Sequence, residues 1–237
     1  MYALVYIKKH TIRLLLIFSA FLNSVTQAGV LQVNAGVQNG HFVHGVDLTN
    51  GEPSLTLGLD WSGDNGFFTG ANCYDSESSI ENPISYGCQA YAGYFLTLNE
   101  HQAIGFDVKR SEYARTEDPQ WDSWLATIDW HINRTTVLSL GYSDDWLGRG
   151  FESVQLDLNN SYHINDKFSL ESRIGVLELE SGAPIDNLPI LQLGVEYKTG
   201  RWSAGLHGSF IRSDIDWLIP FASNEPEIIA NLRYRLY

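Results

Sequence analysis

Residues 123–143 read SWLATIDWHINRTTVLSLGYS, and this stretch decides the fold class. Apolar and polar residues alternate on both sides of the dipeptide Asn133-Arg134. The apolar positions are Trp124, Ala126, Ile128, Trp130 and Ile132 before it, and Thr136, Leu138, Leu140 and Tyr142 after it. A period of two is that of a β-strand with one apolar face, whereas a helix would bring residues three and four apart together and mix the two sets. The stretch therefore predicts two antiparallel strands joined by a tight turn.

The same arrangement recurs along the chain. Short Gly, Asn and Asp clusters of the kind that close hairpins lie at 63–66, 99–101, 133–134, 165–166 and 199–200. Longer acidic stretches lie between them, at 74–85, 113–120, 145–150, 180–188 and 213–225. Strands are predicted at 31–46, 53–62, 66–74, 86–98, 102–112, 121–132, 135–145, 151–164, 167–179, 189–198, 201–212 and 226–237. Short turns on one side and longer loops on the other predict a closed antiparallel transmembrane β-barrel of about 12 strands, with 10–14 possible, short periplasmic turns and longer extracellular loops.

Aromatic residues distinguish this barrel from a soluble β-sandwich, which would also alternate. One set lies beside the short turns and on the apolar parity: Trp61, Trp130, Tyr162, Phe168, Tyr197 and Trp202. A second set flanks the long loops: Tyr74, Tyr86, Tyr113, Trp121, Trp146, Phe151 and Trp217. Two aromatic belts at opposite strand ends match the two interfaces of a bilayer. We therefore expect the apolar parity to face lipid and the polar parity to face inward.

The N-terminus has the features of an export signal. Lys8, Lys9 and Arg13 precede a short apolar run, and the small residues at 26–28 suit a signal peptidase. We expect a cleaved secretory signal at 1–28 and a barrel domain at 29–237, in the outer membrane; a retained N-terminal anchor is the alternative. Removing three bases and no acids changes the net charge from −13 to −16. So acidic a chain is not expected to bind nucleic acid through its phosphates.

The chain has two cysteines, Cys73 and Cys88. Export through an oxidising compartment favours a disulfide between them. Two free thiols or half of a metal site are the alternatives, but no other ligand lies nearby at metal-binding spacing.

Residues 42–74, FVHGVDLTNGEPSLTLGLDWSGDNGFFTGANCY, carry a family resemblance. The matching positions are Phe42, His44 and Gly45, then Pro53, then Gly58 and Asp60, then Gly66 and Phe67. In this order they resemble the N-terminal signature of the TorF-type porin family, a proteobacterial group of conserved hypothetical outer-membrane proteins. The resemblance implies an outer-membrane barrel with porin activity. It is incomplete, because His44 stands where the family has Arg and the cysteine pair is not a family feature.

The inward parity predicts the pore lining. Its charged members are Asp60, Asp107, Lys109, Asp129, His131, Asp157, Glu171, Arg173, Glu196, Lys198, Arg233 and Arg235. Barrels of about eight strands are filled by side chains and those of about sixteen are open, so an interior of twelve strands could be hydrated or plugged by paired charges. Carboxylates slightly outnumber bases in this set, and the chain is acidic overall. We expect a porin or solute-specific channel for small hydrophilic solutes with a weak preference for cations.

Two other functions remain possible from the sequence. His207 and Ser209 share one strand face, as in a lipid acyl hydrolase, but no third member of a catalytic site can be placed. A structural or adhesive barrel would act through its loops, which are short for that role. The acidic loops lack the spacing of a dedicated calcium site and are expected to be solvated. We therefore predict no enzyme activity, catalytic residue, metal or cofactor.

The expected partners are outer-membrane lipid, small hydrophilic solutes and the barrel-assembly machinery. The assembly machinery would recognise the C-terminal strand ending at Tyr237, although Tyr237 is one residue out of step with the apolar parity behind it. We expect a monomer.

Overall fold

The structure, a computed structural model, describes residues 29–39, 42–43, 46–47, 53–76, 84–115, 121–148, 150–180, 186–211 and 227–236. The predicted signal at 1–28, the terminal Tyr237 and much of the long loops lie outside the described residues. Among those described, no helix is long and apolar enough to cross a membrane.

The described chain is almost entirely β-structure. The strands are β1 (Gly29–Gln38), β2 (Phe42–Val43), β3 (Val46–Asp47), β4 (Ser54–Gly63), β5 (Phe67–Ser76), β6 (Ile84–Thr97), β7 (Ala103–Arg115), β8 (Trp121–His131), β9 (Thr136–Ser143), β10 (Glu152–His163), β11 (Phe168–Glu180), β12 (Asp186–Thr199), β13 (Trp202–Ile211) and β14 (Glu227–Arg235). A single 3₁₀ turn, Trp146–Gly148, lies between β9 and β10.

Twelve of these strands form one closed antiparallel barrel, which confirms the predicted fold. Each strand from β4 to β14 pairs with its neighbours in the chain, and β1 joins the two ends by pairing with both β4 and β14. The closing register runs from Asn34 opposite Arg235 to Gln38 opposite Asn231. Closure leaves no strand edge unpaired, as a sheet in hydrocarbon requires.

The tight turns all lie at one end of the barrel, here called the short-turn end; the opposite end is the long-loop end. Asparagine side chains hold several of the turns. Asn133 Oδ1 accepts the backbone N–H groups of Thr135 and Thr136, both at 2.8 Å. Gly66 and Gly200 have φ of 90° and 58°, the left-handed conformation that glycine adopts without strain. These turns therefore lie at the positions predicted from the sequence.

The outer surface of the barrel is apolar. Large exposed side chains include Leu57, Phe106, Trp124, Ile128, Leu140, Leu156, Ile174, Leu193, Leu206 and Ile228. Aromatic pairs form a belt near the short-turn end: Trp61 with Phe67, Phe168 with Tyr197, and Trp202 with Tyr234, with ring centroids 4.7–5.9 Å apart. These are the positions at which interfacial aromatics of a membrane barrel are expected.

The prediction that β1 continues to residue 46 is wrong. Asn39 ends the strand, because its side-chain amide donates to the carbonyl of Ile228 and accepts the N–H of Ala230, both at 2.7 Å. Beyond it, Phe42–Val43 pairs with Val46–Asp47 in a separate two-stranded sheet. The dipeptide Asn39-Gly40 is typical of a turn, and the strand ends there although apolar and polar residues continue to alternate after it.

The inward face is not polar along its whole length, contrary to expectation. In β11 the alternation inverts after Val176: Leu177 and Leu179 point inward and are each 1% exposed, while Glu178 and Glu180 face outward. Leu177 pairs with Leu188, and Ile190 pairs with Ile211. These five residues, Leu177, Leu179, Leu188, Ile190 and Ile211, form an inner apolar layer at the long-loop end. There the wall is polar outside and apolar inside, like a sheet that faces water rather than lipid.

The aromatic belt predicted at the long-loop end also needs correction. Tyr74 and Tyr113 point into the barrel and are 5% and 2% exposed, and Trp146, in the 3₁₀ turn, is 2% exposed. Tyr86 is exposed on the outer surface, while the side chain of Trp121 and all of Trp217 lie outside the described residues. Proximity to a loop placed the two buried tyrosines at the correct end of their strands but on the wrong face.

Candidate functional site: the barrel lumen

One cavity of about 990 Å³ occupies the barrel. At the short-turn end it is lined by the turn residues Gly200 and Arg201, and at the long-loop end by Gln38, Tyr74 and Tyr113. Most of the residues between these ends are polar. The cavity therefore extends from one end of the barrel towards the other along the wall formed by β12–β14, β1 and β4–β7.

The twelve charged residues predicted to line a pore all lie on the inward parity of their strands, but they divide into two groups. Six line the cavity: Asp60, Lys109, Glu196, Lys198, Arg233 and Arg235. The other six, Asp107, Asp129, His131, Asp157, Glu171 and Arg173, do not line it. Whether either group contacts a solute stays a prediction.

The second group packs against the wall through local contacts. Arg173 forms a bidentate pair with Asp157, with Nε and Nη2 donating at 2.9 and 3.1 Å. The same carboxylate accepts from the amide of Gln155. Asp157 is 5% exposed, so the pair is largely removed from water. Such a pair costs desolvation and needs every hydrogen bond to be satisfied, which fixes its geometry.

Glu171 and His131 are also held against the wall. Glu171 Oε1 accepts from the hydroxyls of Ser161 at 2.8 Å and Ser169 at 2.7 Å. The ring of His131 meets that of Phe95 edge-on, with centroids 5.2 Å apart. Asp157, Glu171 and Arg173 are therefore engaged by neighbours, whereas Nε2 of His131 is buried without a hydrogen-bond partner among the described residues.

The lumen also contains aromatic residues that the sequence did not single out. Phe68 stacks on Phe95, with centroids 4.7 Å apart, and lies 6.3 Å from Tyr91. Tyr91 donates its hydroxyl to Asp60, which also accepts from Asn34 Nδ2 at 2.9 Å. Phe68, Tyr91 and Phe95 lie on the inward parity of their strands. The same parity argument that selected the charged residues could therefore have predicted that these rings face the lumen.

Glycines on the inward parity keep the lumen open. Gly70 lies beneath Tyr91, so that a Cβ there would come within 2.5 Å of the phenolic oxygen. Gly194 and Gly205 lie beneath the ring of His207. Large side chains can thus lie flat along the wall instead of extending towards the axis.

The basic residues of the cavity differ in their pairing. Lys109 Nζ lies 3.3 Å from Asp107, and Lys198 Nζ lies 2.8 Å from Glu196. Arg201 donates to the carbonyl oxygen of Leu236 at 3.1 Å. Within the described part of the chain, Arg233 and Arg235 form no ion pair.

A disulfide joins Cys73 to Cys88, which lie directly opposite each other on β5 and β6 with Cα atoms 4.1 Å apart. Both belong to the outward parity of their strands, although both residues also border the cavity, so the bond joins the two strands of the hairpin within the cavity wall. No cysteine is free in the described residues.

The motif positions that carry the family resemblance are spread over this region. Gly58 and Asp60 lie on the inner face of β4, and Pro53 precedes that strand. Gly66 lies in the next turn, and Phe67 begins β5. Phe42 lies in β2, while His44 and Gly45 fall outside the described residues. Among the motif positions that the structure describes, Asp60 is the one that contributes a charged group to the cavity.

The geometry gives the acyl-hydrolase alternative no support. Ser209 is 3% exposed and its hydroxyl accepts the amide of Gln192 at 3.1 Å. No hydrogen bond joins His207 to Ser209 among the described atoms. Nor do the described residues bring together three side chains that could hold a metal ion.

No family model matches the sequence, and no curated protein matches it. Solved structures do match its fold. The KdgM porin superposes with a TM-score of 0.55 at 10% identity, covering 88% of this chain and 100% of that one. The NanC porin superposes with a TM-score of 0.55 at 12% identity, covering 87% and 100%. The chain therefore has the barrel fold of outer-membrane porins, and its resemblance to the TorF-type family stays a prediction.

Proposed function

We propose that this protein is a monomeric channel that carries small hydrophilic solutes across the outer membrane. The observation that carries the proposal is the polar cavity of about 990 Å³, which is lined by residues at both ends of the barrel. The apolar outer surface supports the membrane location, and the likeness to porin barrels supports the same class of function. A TorF-type identity and assembly through the C-terminal strand are consistent with the proposal.

The inner apolar layer supports a narrow channel rather than a wide one. It occupies the lumen at the long-loop end of β11–β13, and none of its five residues lines the cavity. The open path therefore runs past it, along β14, β1 and β4–β7. A lumen narrowed in this way favours the passage of small solutes over that of large ones.

Liposome swelling tests the proposal with a matched pair of variants. Gln192 lines the cavity, and the next residue, Leu193, is 58% exposed on the outer surface. Refolded protein in liposomes should permit swelling with a pentose. Gln192→Trp should slow the swelling by placing an indole in the lumen, whereas Leu193→Trp should not. Equal rates with and without protein would refute the channel.

The weak preference for cations predicted from the sequence stays a prediction. That prediction compared all the inward carboxylates with all the inward bases, whereas only six of these residues line the cavity. The charges of the cavity lining favour the opposite preference.

A further inference from the structure

We infer that the lumen prefers anions, and that Arg233 and Arg235 in its short-turn half form a binding site for solutes bearing a carboxylate or phosphate group. The inference rests on the proposed channel function and names the class of solute.

The sign of the charge along the cavity is the first observation. Five bases line it, Lys109, Lys198, Arg201, Arg233 and Arg235, against two carboxylates, Asp60 and Glu196. Lys198 pairs with Glu196 and Lys109 with Asp107, while Asp60 keeps its charge because its partners Tyr91 and Asn34 are neutral. Arg201, Arg233 and Arg235 still outnumber the one lining carboxylate without a basic partner. The lining therefore has an excess of positive charge although the chain has a net charge of −13. A cleft with low-dielectric walls concentrates such a field along its axis.

The isolation of the two arginines is the second observation. They lie two residues apart on the same face of β14, which separates their Cα atoms by about 7 Å. Their inward neighbours on the adjoining strands are Ser203, Gly36 and Asn34, all uncharged. The described inner faces of β13, β14 and β1 carry a single carboxylate, Glu227, at the other end of β14, about 20 Å from Arg233 along the strand. On β4, one strand further, Asp60 is held by Asn34, the β1 neighbour of Arg235, and neither arginine forms an ion pair with a described residue.

The wall makes room for the first of these side chains. A Cβ at Gly36 would lie 2.8 Å from the carbonyl oxygen of Leu232, 2.9 Å from Thr56 Oγ1 and 3.1 Å from Arg233 Cγ. Glycine at this position fits the close approach of the β14 backbone and also leaves space for the aliphatic stem of Arg233, which remains exposed in the lumen.

Guanidinium chemistry defines the solute class. Its planar set of N–H donors matches the two oxygens of a carboxylate or a phosphate and binds them with two parallel hydrogen bonds. Lysine would supply the same charge without that geometry. The site should therefore bind organic anions more tightly than chloride.

Reversal potentials in planar bilayers test the sign. With refolded full-length protein in a KCl gradient, we expect chloride to be about threefold more permeant than potassium. The double variant Arg233→Gln, Arg235→Gln should lose most of that preference. Arg134→Gln provides the matched control, because Arg134 lies in an exposed turn at the same end and does not line the cavity. Heat-modifiable gel mobility shows that each variant has folded.

Block of the chloride current tests the site. Citrate or inorganic phosphate added to the wild-type channel should reduce the current, and glucose at the same concentration should not. Arg233→Lys with Arg235→Lys should keep the chloride preference but lose most of the block. A channel that conducts but prefers potassium, or whose double glutamine variant is unchanged, overturns the inference and leaves the channel function intact. A protein that never conducts overturns both.

Discussion

The outward and inward parities can be separated by introducing one charge at two adjacent positions of β9. Leu140 is 47% exposed within the apolar band, between Ile128 and Leu156 on the neighbouring strands. Ser139 faces inward, between Asp129 and Asp157. Arginine at a lipid-facing site in the bilayer should cost about 2–4 kcal/mol of unfolding free energy. At position 139 the same arginine meets two carboxylates, so we expect little loss or a small gain.

Reversible urea unfolding in phospholipid vesicles, followed by tryptophan fluorescence, measures both changes. Leu140→Arg should lower the free energy of unfolding by about 2–4 kcal/mol, and Ser139→Arg should leave it within about 1 kcal/mol of wild type. Leu140→Ala controls for the lost side chain. Equal losses at the two positions, or a larger loss at position 139, would mean that lipid does not contact the apolar parity.

Three further changes probe the stability of the barrel and its closure at the long-loop end. Reducing the bond between Cys73 and Cys88, which encloses a 15-residue separation, should cost about 3 kcal/mol; the double serine variant should be insensitive to reductant, and a reductant effect on that variant would place the cost elsewhere. Leu177 is 1% exposed, so Leu177→Ala should lower the free energy of unfolding by about 2–5 kcal/mol. The variant should also raise the single-channel conductance, because it opens space in the inner apolar layer. Unchanged stability would show that the layer is not packed. Asp157→Asn should cost about 3 kcal/mol, because it leaves the guanidinium of Arg173 largely buried without its counter-charge; Asp157→Asn combined with Arg173→Met should recover part of that loss, and no recovery would contradict a pairing role.

Much of the fold could be predicted from the sequence, because a barrel with an apolar outer face imposes a simple rule on every strand. Leu138, Leu140 and Tyr142 lie on the outward face of β9, so their alternation is strict and their strand could be located within a residue or two. The tight turns could also be predicted, because their residues meet local requirements of the backbone. Asn133 accepts the N–H groups of its own turn, and Gly200 adopts a positive φ.

The rule failed towards the long-loop end of the barrel. Leu177 and Leu179 follow the parity of a water-facing sheet, and nothing local marks the point at which β11 changes surroundings. Asn39 ended β1 through contacts with β14, far along the chain. Tyr74 and Tyr113 lie at the expected end of the barrel, but their direction depends on the register of strands that the sequence alone does not pair.

Strand parity predicted which residues face the lumen, but it did not predict which of them line the cavity. All twelve charged positions lie on the inner face. Which of them line the cavity depends on lateral packing: Asp157 is covered by Arg173 and Gln155, whereas Arg233 lies over Gly36 and stays exposed. The sequence pattern does not show which side chains cover one another. The net charge of the whole inner face is therefore negative by residue count, whereas that of the cavity lining is positive.

Single-channel recording of the refolded protein tests the central claim most directly. A continuous hydrated path through the lumen predicts discrete current steps of uniform size that increase with KCl concentration and decrease in the Gln192→Trp variant. Folded, bilayer-inserted protein that remains electrically silent across the accessible voltage range would contradict the account.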